Sequence, residues 1–309
     1  MSAILLQTLP FFALIGLGFG AGRGGAFGPE ATAALTKFVF YFALPALLFR
    51  FAASISIAEL WSAAFVQAYL LGSFGVWGLA LLVAALRGLP PAVAAMEAQC
   101  AVVGNVGFLG IPMLALLLGE AAVGPVLLVL ATDLIVFGSL IVVAVTGARG
   151  RLSPALAGRV ALGLARNPMI VSIALGLLWS GLAWPVPAPA GQALDILAGA
   201  ATPGALFAIG ASLAALRAER VAAPAWLSAA KLVLHPAAVA AAALWLSVEP
   251  FAASVMVAAA ALPVAGNVYI LAAHYGVAPG RVSAAILIST AASVLTVTGV
   301  IALVAGGLS

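Results

Sequence analysis

Gly104-Asn105-Val106 and Gly266-Asn267-Val268 are two copies of one triplet, and each lies inside an otherwise apolar stretch of the chain. Asparagine is costly within a bilayer, and glycine weakens a helix. The two triplets are 162 residues apart, at matching places in the two halves of the chain. Paired interruptions of this kind are typical of proteins that bind a solute between two broken helices near the middle of the membrane. The triplets therefore predict two broken helices that meet at a binding site.

The composition of the chain indicates a polytopic membrane protein. Of its 309 residues, 66% are hydrophobic and 6% are charged, and the mean hydropathy is +1.29. A soluble domain of this size needs more polar surface. Apolar runs of about 17–25 residues favour transmembrane helices over a β-barrel. We expect the first run to be a transmembrane helix rather than a cleaved signal, because no basic segment precedes it.

Charge, cysteine content and motifs exclude several other classes. The net charge of +4 comes from basic residues scattered along the loops, so it does not indicate nucleic-acid binding. The single cysteine, Cys100, excludes an internal disulfide and a multi-cysteine metal site. The motifs G-x-S-x-G and H-E-x-x-H and a phosphate-binding glycine-rich loop are absent. We therefore expect no enzyme and no cofactor.

Hydropathy and turn residues predict ten transmembrane segments. They lie at about 3–21, 33–50, 61–86, 96–118, 124–147, 167–183, 196–216, 225–246, 252–274 and 282–306. The longest polar stretch, 148–166, is too short to be a soluble domain.

Lysine and arginine residues predict the orientation of these segments. The odd-numbered loops carry Arg23, Arg87, Arg149, Arg151, Arg159, Arg166, Arg217, Arg220 and Arg281, whereas the even-numbered loops carry only Arg50. The positive-inside rule places the odd loops, including 148–166, in the cytoplasm and both termini outside. The chain is accordingly expected in a cytoplasmic (inner) membrane, in contact with lipid.

Landmarks of the first half recur in the second half at a nearly constant separation. Leu9-Pro10 and Asn167-Pro168 open the first and sixth segments, 158 residues apart, and Pro45 and Pro203 have the same separation. Five helices per repeat is an odd number, so the second repeat must run opposite to the first. Chance self-similarity of a chain rich in alanine, glycine and proline is the alternative.

The predicted fold is therefore an all-α membrane protein of ten helices, arranged as two inverted five-helix repeats. The first repeat covers 1–147, a cytoplasmic linker covers 148–166, and the second repeat covers 167–309.

The interrupted fourth and ninth segments form the predicted site. Pro112 and Pro263 add a second helix-breaking residue to each, after Asn105 in the first case and before Asn267 in the second. Helix N-termini at such breaks attract anions, and the two asparagines add neutral donors. We predict a carboxylate site with Asn105 as the primary donor. Its candidate residues are Gly104, Asn105, Val106, Pro263, Gly266 and Asn267. The alternative is that the glycines allow close helix packing and the asparagines bond across helices.

Ionisable residues inside the segments form a second group of candidates. Asp133 is a candidate carrier of a coupling proton or ligand of a sodium ion. Lys231 and His235 are four residues apart, hence on one helix face, and could pair with a charge. Two alternatives stay open: Lys231 snorkels to the cytoplasmic interface, and His235 bonds a carbonyl at a helix kink. Glu97 is expected near the interface.

The chain resembles the auxin efflux carrier family, which includes plant PIN-type exporters and bacterial malonate transporters. The resemblance covers essentially the whole chain, and its most specific parts are at 38–49, 104–113, 167–170, 261–268 and 275–276. The carboxylate-binding asparagine of the family matches Asn105, and its ninth-helix proline matches Pro263. A proline precedes that asparagine in the plant branch, but Gly104 stands there in this chain. The lack of a long cytoplasmic loop between the fifth and sixth segments indicates the bacterial branch.

The resemblance implies crossing broken helices, a scaffold and a transport domain that move relative to each other, and frequent homodimers. It implies a secondary active transporter of a small organic anion. A ligand-binding membrane sensor, a channel and a sodium-coupled symporter of the bile-acid type are the alternatives.

Overall fold

The structure is a computed structural model that describes residues 2–55, 61–150, 153, 155–215 and 222–306. In that part the chain forms thirteen helices and no β-strand. They are α1 (Ser2–Arg23), α2 (Pro29–Ala53), α3 (Ala63–Leu86), α4 (Pro91–Val102), α5 (Val106–Leu118), α6 (Glu120–Ala148), α7 (Ala155–Ala165), α8 (Pro168–Gly181), α9 (Ala188–Ala215), α10 (Ala222–Trp245), α11 (Pro250–Ala260), α12 (Gly266–Tyr275) and α13 (Pro279–Gly306).

Six of these helices, α2, α3, α6, α9, α10 and α13, are long and apolar enough to cross a membrane. A seventh span results if α7 and α8, which meet at 66°, are taken together. The all-helical, multi-pass class predicted from composition is confirmed. The fourth and ninth predicted segments are helix pairs, α4 with α5 and α11 with α12.

The stretch predicted as a linker, 148–166, contains a helix, α7. Its glycines and arginines suggested a loop, but leucine, valine and alanine between them continue a helical pattern. Arg151, Arg217 and Arg220, three of the charges behind the predicted orientation, lie outside the described residues.

Three prolines inside helices each follow a π-helical turn. The turns are Val39–Ala43, Val106–Gly110 and Ala230–Leu234, and Pro45, Pro112 and Pro236 lie two residues after them. Proline lacks an N–H group, and its ring collides with the carbonyl four residues earlier. A widened turn relieves this collision while the helix continues. A fourth π-helical turn, Asp133–Phe137, begins at the buried aspartate of α6 and has no such proline.

The helices pack in two groups. In one group α1 lies along α9, and α8 lies along α2. Glycines allow this close packing: a Cβ on Gly18 of α1 would lie 2.1 Å from the carbonyl oxygen of Phe207 in α9. In the other group α3 packs on α4 and α10, and α10 packs on α11 and α13. The groups touch where α1 meets α13 and where α9 meets the start of α5.

Candidate functional site

The two interrupted segments meet at their breaks. The N–H group of Asn105 donates to the carbonyl oxygen of Pro263 over 2.8 Å, and the N–H group of Ala265 donates to that of Val103 over 3.1 Å. These two bonds form an isolated antiparallel bridge between the chains of the two breaks. Backbone freed from helical bonding is thus paired with backbone, as membrane depth requires. The region where 103–105 meet 263–265 is called the crossing.

Side chains from two other helices complete the crossing. The N–H group of Val264 donates over 3.1 Å to Oγ of Ser289, which comes from α13. On the other side of the bridge, a Cβ on Gly104 would lie 3.1 Å from Nζ of Lys231, so any side chain there would have to displace the ammonium. The glycine of the first triplet therefore lets the buried ammonium approach the crossing closely.

Replacing Ser289 should loosen the crossing. Ser289→Ala leaves the buried N–H group of Val264 without its acceptor, which costs about 1–3 kcal/mol. We expect a lower apparent melting temperature in detergent than for the unmodified protein. Ser293→Ala is the matched control, because Ser293 bonds only the carbonyl of Thr290 in its own helix. Equal effects of both substitutions would show that Ser289 does not support the crossing.

A cavity of about 680 Å³ opens onto the crossing. Five of the predicted site residues line it: Gly104, Asn105, Asp133, Gly266 and Asn267. The others lie elsewhere. Val106 is buried at the start of α5, Pro263 contributes its carbonyl to the crossing, and Pro112 lies in α5 after its π-helical turn.

Two amide side chains in this cavity have free hydrogen-bonding capacity. Oδ1 of Asn267 and Oε1 of Gln99 are buried and have no hydrogen-bond partner among the described residues. Gln99 is held through its NH₂ group, which donates to the carbonyl of Phe137 over 3.1 Å. An unpaired amide can accept from a protonated carboxyl or, after turning about its last bond, donate to a carboxylate. Buried amides left open in this way favour a polar ligand.

Helix ends give the same wall of the cavity an affinity for negative charge. Both α5 and α12 begin at the crossing. The first N–H groups of a helix have no acceptor within it, and the N-terminus carries a partial positive charge. Two such ends beside Asn105 and Asn267 make a donor-rich, formally uncharged surface. This surface suits a carboxylate group.

Asp133 is the acidic residue of the cavity. It is 4% exposed, and its Oδ1 accepts a 2.8 Å hydrogen bond from the Tyr69 hydroxyl of α3. Its Oδ2 is buried and has no hydrogen-bond partner among the described residues. Tyr69 was not among the predicted site residues, since a tyrosine in an apolar segment gives no sign of its partner 64 residues away.

Lys231 lies behind the crossing, outside the cavity. It is 0% exposed, so the alternative that it snorkels to the interface is wrong. Its ammonium donates to the carbonyl of Ala260, at the end of α11, and lies 3.2 Å from Nδ1 of His235. Nδ1 of His235 is also 3.2 Å from that carbonyl, and Nε2 is 2.9 Å from Oγ of Ser73. The two basic side chains form one buried network with α3 and α11.

A second charged cluster ties three elements together away from the cavity. Glu97 of α4 pairs with Arg87, which follows α3, over 2.9 Å, and with Arg281 of α13. Glu97 is only 2% exposed, so it is covered by its arginines rather than by solvent. Two partners offset the cost of burying one carboxylate. The cluster braces α4 and α13, the helices next to the crossing.

Comparisons with known proteins identify the family of the chain. A family profile described as membrane transport protein matches residues 3–301. A protein of Rhizobium meliloti (strain 1021), named "Putative malonate transporter", is 36% identical over 315 aligned residues, which cover 99% of this chain and 98% of the relative. The chain therefore belongs to the membrane transport protein family, the auxin efflux carrier family that its sequence motifs indicate.

Proposed function

We propose that the protein is a secondary active transporter that carries a small carboxylate across the cytoplasmic membrane by alternating access. The observation that carries the proposal is the crossing itself. Two helix N-termini, Asn105 and Asn267 face one cavity of about 680 Å³ there. The carboxylate binds at this place, with Asn105 as its primary donor and Asn267 as the second.

Ten spans in two inverted repeats are part of the proposal. Support comes from two equivalent packing contacts, one in each direction between the two halves, whose residues are related by a separation of 158. A Cβ on Gly18 would lie 2.1 Å from the carbonyl oxygen of Phe207, and one on Gly176 would lie 2.7 Å from that of Phe49. The shift turns Gly18 into Gly176 and Phe49 into Phe207. The repeats are 1–147 and 167–309, joined by a cytoplasmic linker at 148–166, with both termini outside.

The two packing groups suggest which parts move. The helices of the crossing and those that hold it, α3 to α6 and α10 to α13, form the transport domain. The pairs α1 with α9 and α2 with α8 form the scaffold, which stays fixed in the bilayer. An elevator-like displacement of the first group against the second moves the site between the two faces. Association of two copies as a homodimer would anchor the scaffold.

A malonate-like dicarboxylate is the substrate class we infer. The name of the 36% identical relative supports it, as do the two helix N-termini at the crossing, which favour negative charge. The test is uptake of labelled malonate into proteoliposomes that contain the purified chain, under imposed proton and sodium gradients. Saturable uptake supports a transporter. Specific binding without flux would indicate a sensor, conductance without saturation a channel, and strict sodium dependence with bile-acid uptake a bile-acid-type symporter.

Coupling to a proton or sodium ion is assigned to Asp133. It is the one acidic side chain that the described residues contribute to the cavity. Lys231 acts as the counter-charge from behind Gly104, and His235 holds Lys231 in place.

Asp133→Asn should uncouple transport from the ion gradient. We expect retained malonate binding, and flux that no longer follows an imposed proton or sodium gradient, because the amide cannot carry the coupling charge. Tyr69→Phe is the control, since it removes the hydrogen bond to Oδ1 and keeps the carboxylate. Full gradient dependence in Asp133→Asn would exclude Asp133 as the coupling residue.

A further inference from the structure

The cavity that reaches the crossing extends along α6 to a basic mouth. Its wall runs along α6 from Asp133 to Arg149, the residue that follows the helix, a rise of about 24 Å for sixteen residues of helix. Arg159 of α7 lines the same cavity. A small carboxylate bound beside Asn105 is therefore too far from Arg149 to touch it. The role of the two arginines is separate from the site at the crossing.

Helix α7 forms a distinct wall of this mouth. The residues through which it lines the cavity are Leu156, Arg159, Val160, Gly163 and Leu164. Their spacing of three and four residues defines one face of a helix. Apart from Leu156 the helix is largely exposed, and it packs against α6 and α8. Arg159 thus projects from a lightly packed helix on the face that borders the cavity.

Neither arginine pairs with a carboxylate of the part of the chain that the structure describes. The ion pairs found among the described residues involve Arg50, Arg87 and Arg281. Arg149 instead donates to the carbonyl oxygen of Tyr275, the last residue of α12, and its guanidinium carbon lies 5.9 Å from the centre of the Tyr275 ring. This contact fixes Arg149 at the mouth and leaves N–H groups of its guanidinium for a ligand.

We propose that Arg149 and Arg159 form an outer anion subsite, which holds the carboxylate substrate at the mouth before it moves to the crossing. Guanidinium groups bind carboxylates through paired N–H donors, and like charges in a walled cleft concentrate anions. Because the attraction scales with the charge of the ligand, the subsite prefers dicarboxylates to monocarboxylates. The inference rests on the proposed function for the substrate class, but it concerns different residues.

The test compares two substrates on the side of the membrane that the mouth faces. The double variant Arg149→Gln, Arg159→Gln in proteoliposomes should raise the KM for malonate about tenfold at low ionic strength. For monomethyl malonate, which has half the charge, the rise should be about threefold. Both increases should shrink at about 0.5 M salt. The KM measured from the opposite side of the membrane should not change in the double variant. Because lysine keeps the positive charge, the variant Arg149→Gln, Arg159→Lys should show a smaller rise in KM than the double glutamine variant.

Arg166→Gln is the matched control for the single variant Arg159→Gln, because both remove one charge at the same helix but Arg166 does not line the cavity. An equal rise in KM for Arg166→Gln would show that the general surface potential, rather than a subsite, attracts the substrate. An unchanged KM in the double variant would overturn the subsite and leave the proposed transporter standing. If the unmodified protein carries no carboxylate, the proposed function fails. The subsite is then judged by equilibrium binding of malonate to the detergent-solubilised chain, where the same ranking of variants is expected.

Discussion

Asn105→Ala should raise the KM for carboxylate uptake by about ten- to a hundredfold, the cost of one hydrogen bond to a charged group. The substitution keeps the crossing intact, because the bonds of Asn105 within it come from its backbone. Its N–H group donates to Pro263, and its carbonyl accepts from Leu109 and Gly110. Asn267→Ala should have a smaller effect in the same direction, because Asn267 is the second donor. Uptake of labelled malonate at a series of concentrations measures both.

Asn167→Ser is the control for this pair. Asn167 also lines the cavity, but its side chain accepts from the N–H group of Met169 and caps α8, a task that serine can perform. Near-normal uptake is expected for this variant. Unchanged malonate transport in both Asn105→Ala and Asn267→Ala would show that the substrate does not bind at the crossing. The proposed site would then have to be sought elsewhere in the cavity.

Gly210→Ala should destabilise the protein by about 3 kcal/mol or more, the upper end of overpacking costs. An added Cβ would lie 1.9 Å from the carbonyl oxygen of Ile15 and 2.7 Å from the backbone nitrogen of Phe19. Because both neighbours are backbone atoms of α1, no side-chain rotation relieves the overlap, and α1 must separate from α9. A large fall in apparent melting temperature and in the yield of folded protein is expected.

Gly199→Ala is the matched control in the same helix. Nothing lies within 4 Å of a Cβ at this position. Alanine is a better helix former than glycine by about 0.5–1 kcal/mol, so the melting temperature should stay the same or rise. A similar fall for both variants would mean that the loss does not come from the contact of α9 with α1.

The two helix breaks could be predicted from the sequence because their signal is local. Glycine and asparagine at Gly104-Asn105, and proline at Pro263, are unfavourable in continuous membrane helices wherever they occur. Asp133 was predicted as a candidate site residue for the same reason, since a carboxylate within an apolar segment is costly and is rarely kept without a function. The family resemblance then supplied an expectation for how the two breaks relate. That part of the site could be predicted without coordinates.

The partners of these residues could not be predicted, because they depend on contacts between distant helices. Tyr69 and Ser73 in α3 are ordinary polar residues until the fold places them against Asp133 and His235. Lys231 lies only one to two turns into the predicted segment 225–246, so the sequence did not show whether its ammonium reaches the interface or is buried against a carbonyl. The carbonyl of Ala260 does so only because α11 ends there.

The bridge between Gly104 and Val264 also has a consequence for biosynthesis. The groups that pair at the crossing are about 160 residues apart, so the first break enters the membrane long before its partner has been translated. Unpaired peptide groups are not tolerated in lipid. The nascent segment around Gly104 must therefore stay in a hydrated environment, or pass through a temporary continuous helix, until Val264 has left the ribosome. Chains that stop short of Val264 should be recognised as unfinished and degraded by membrane quality control.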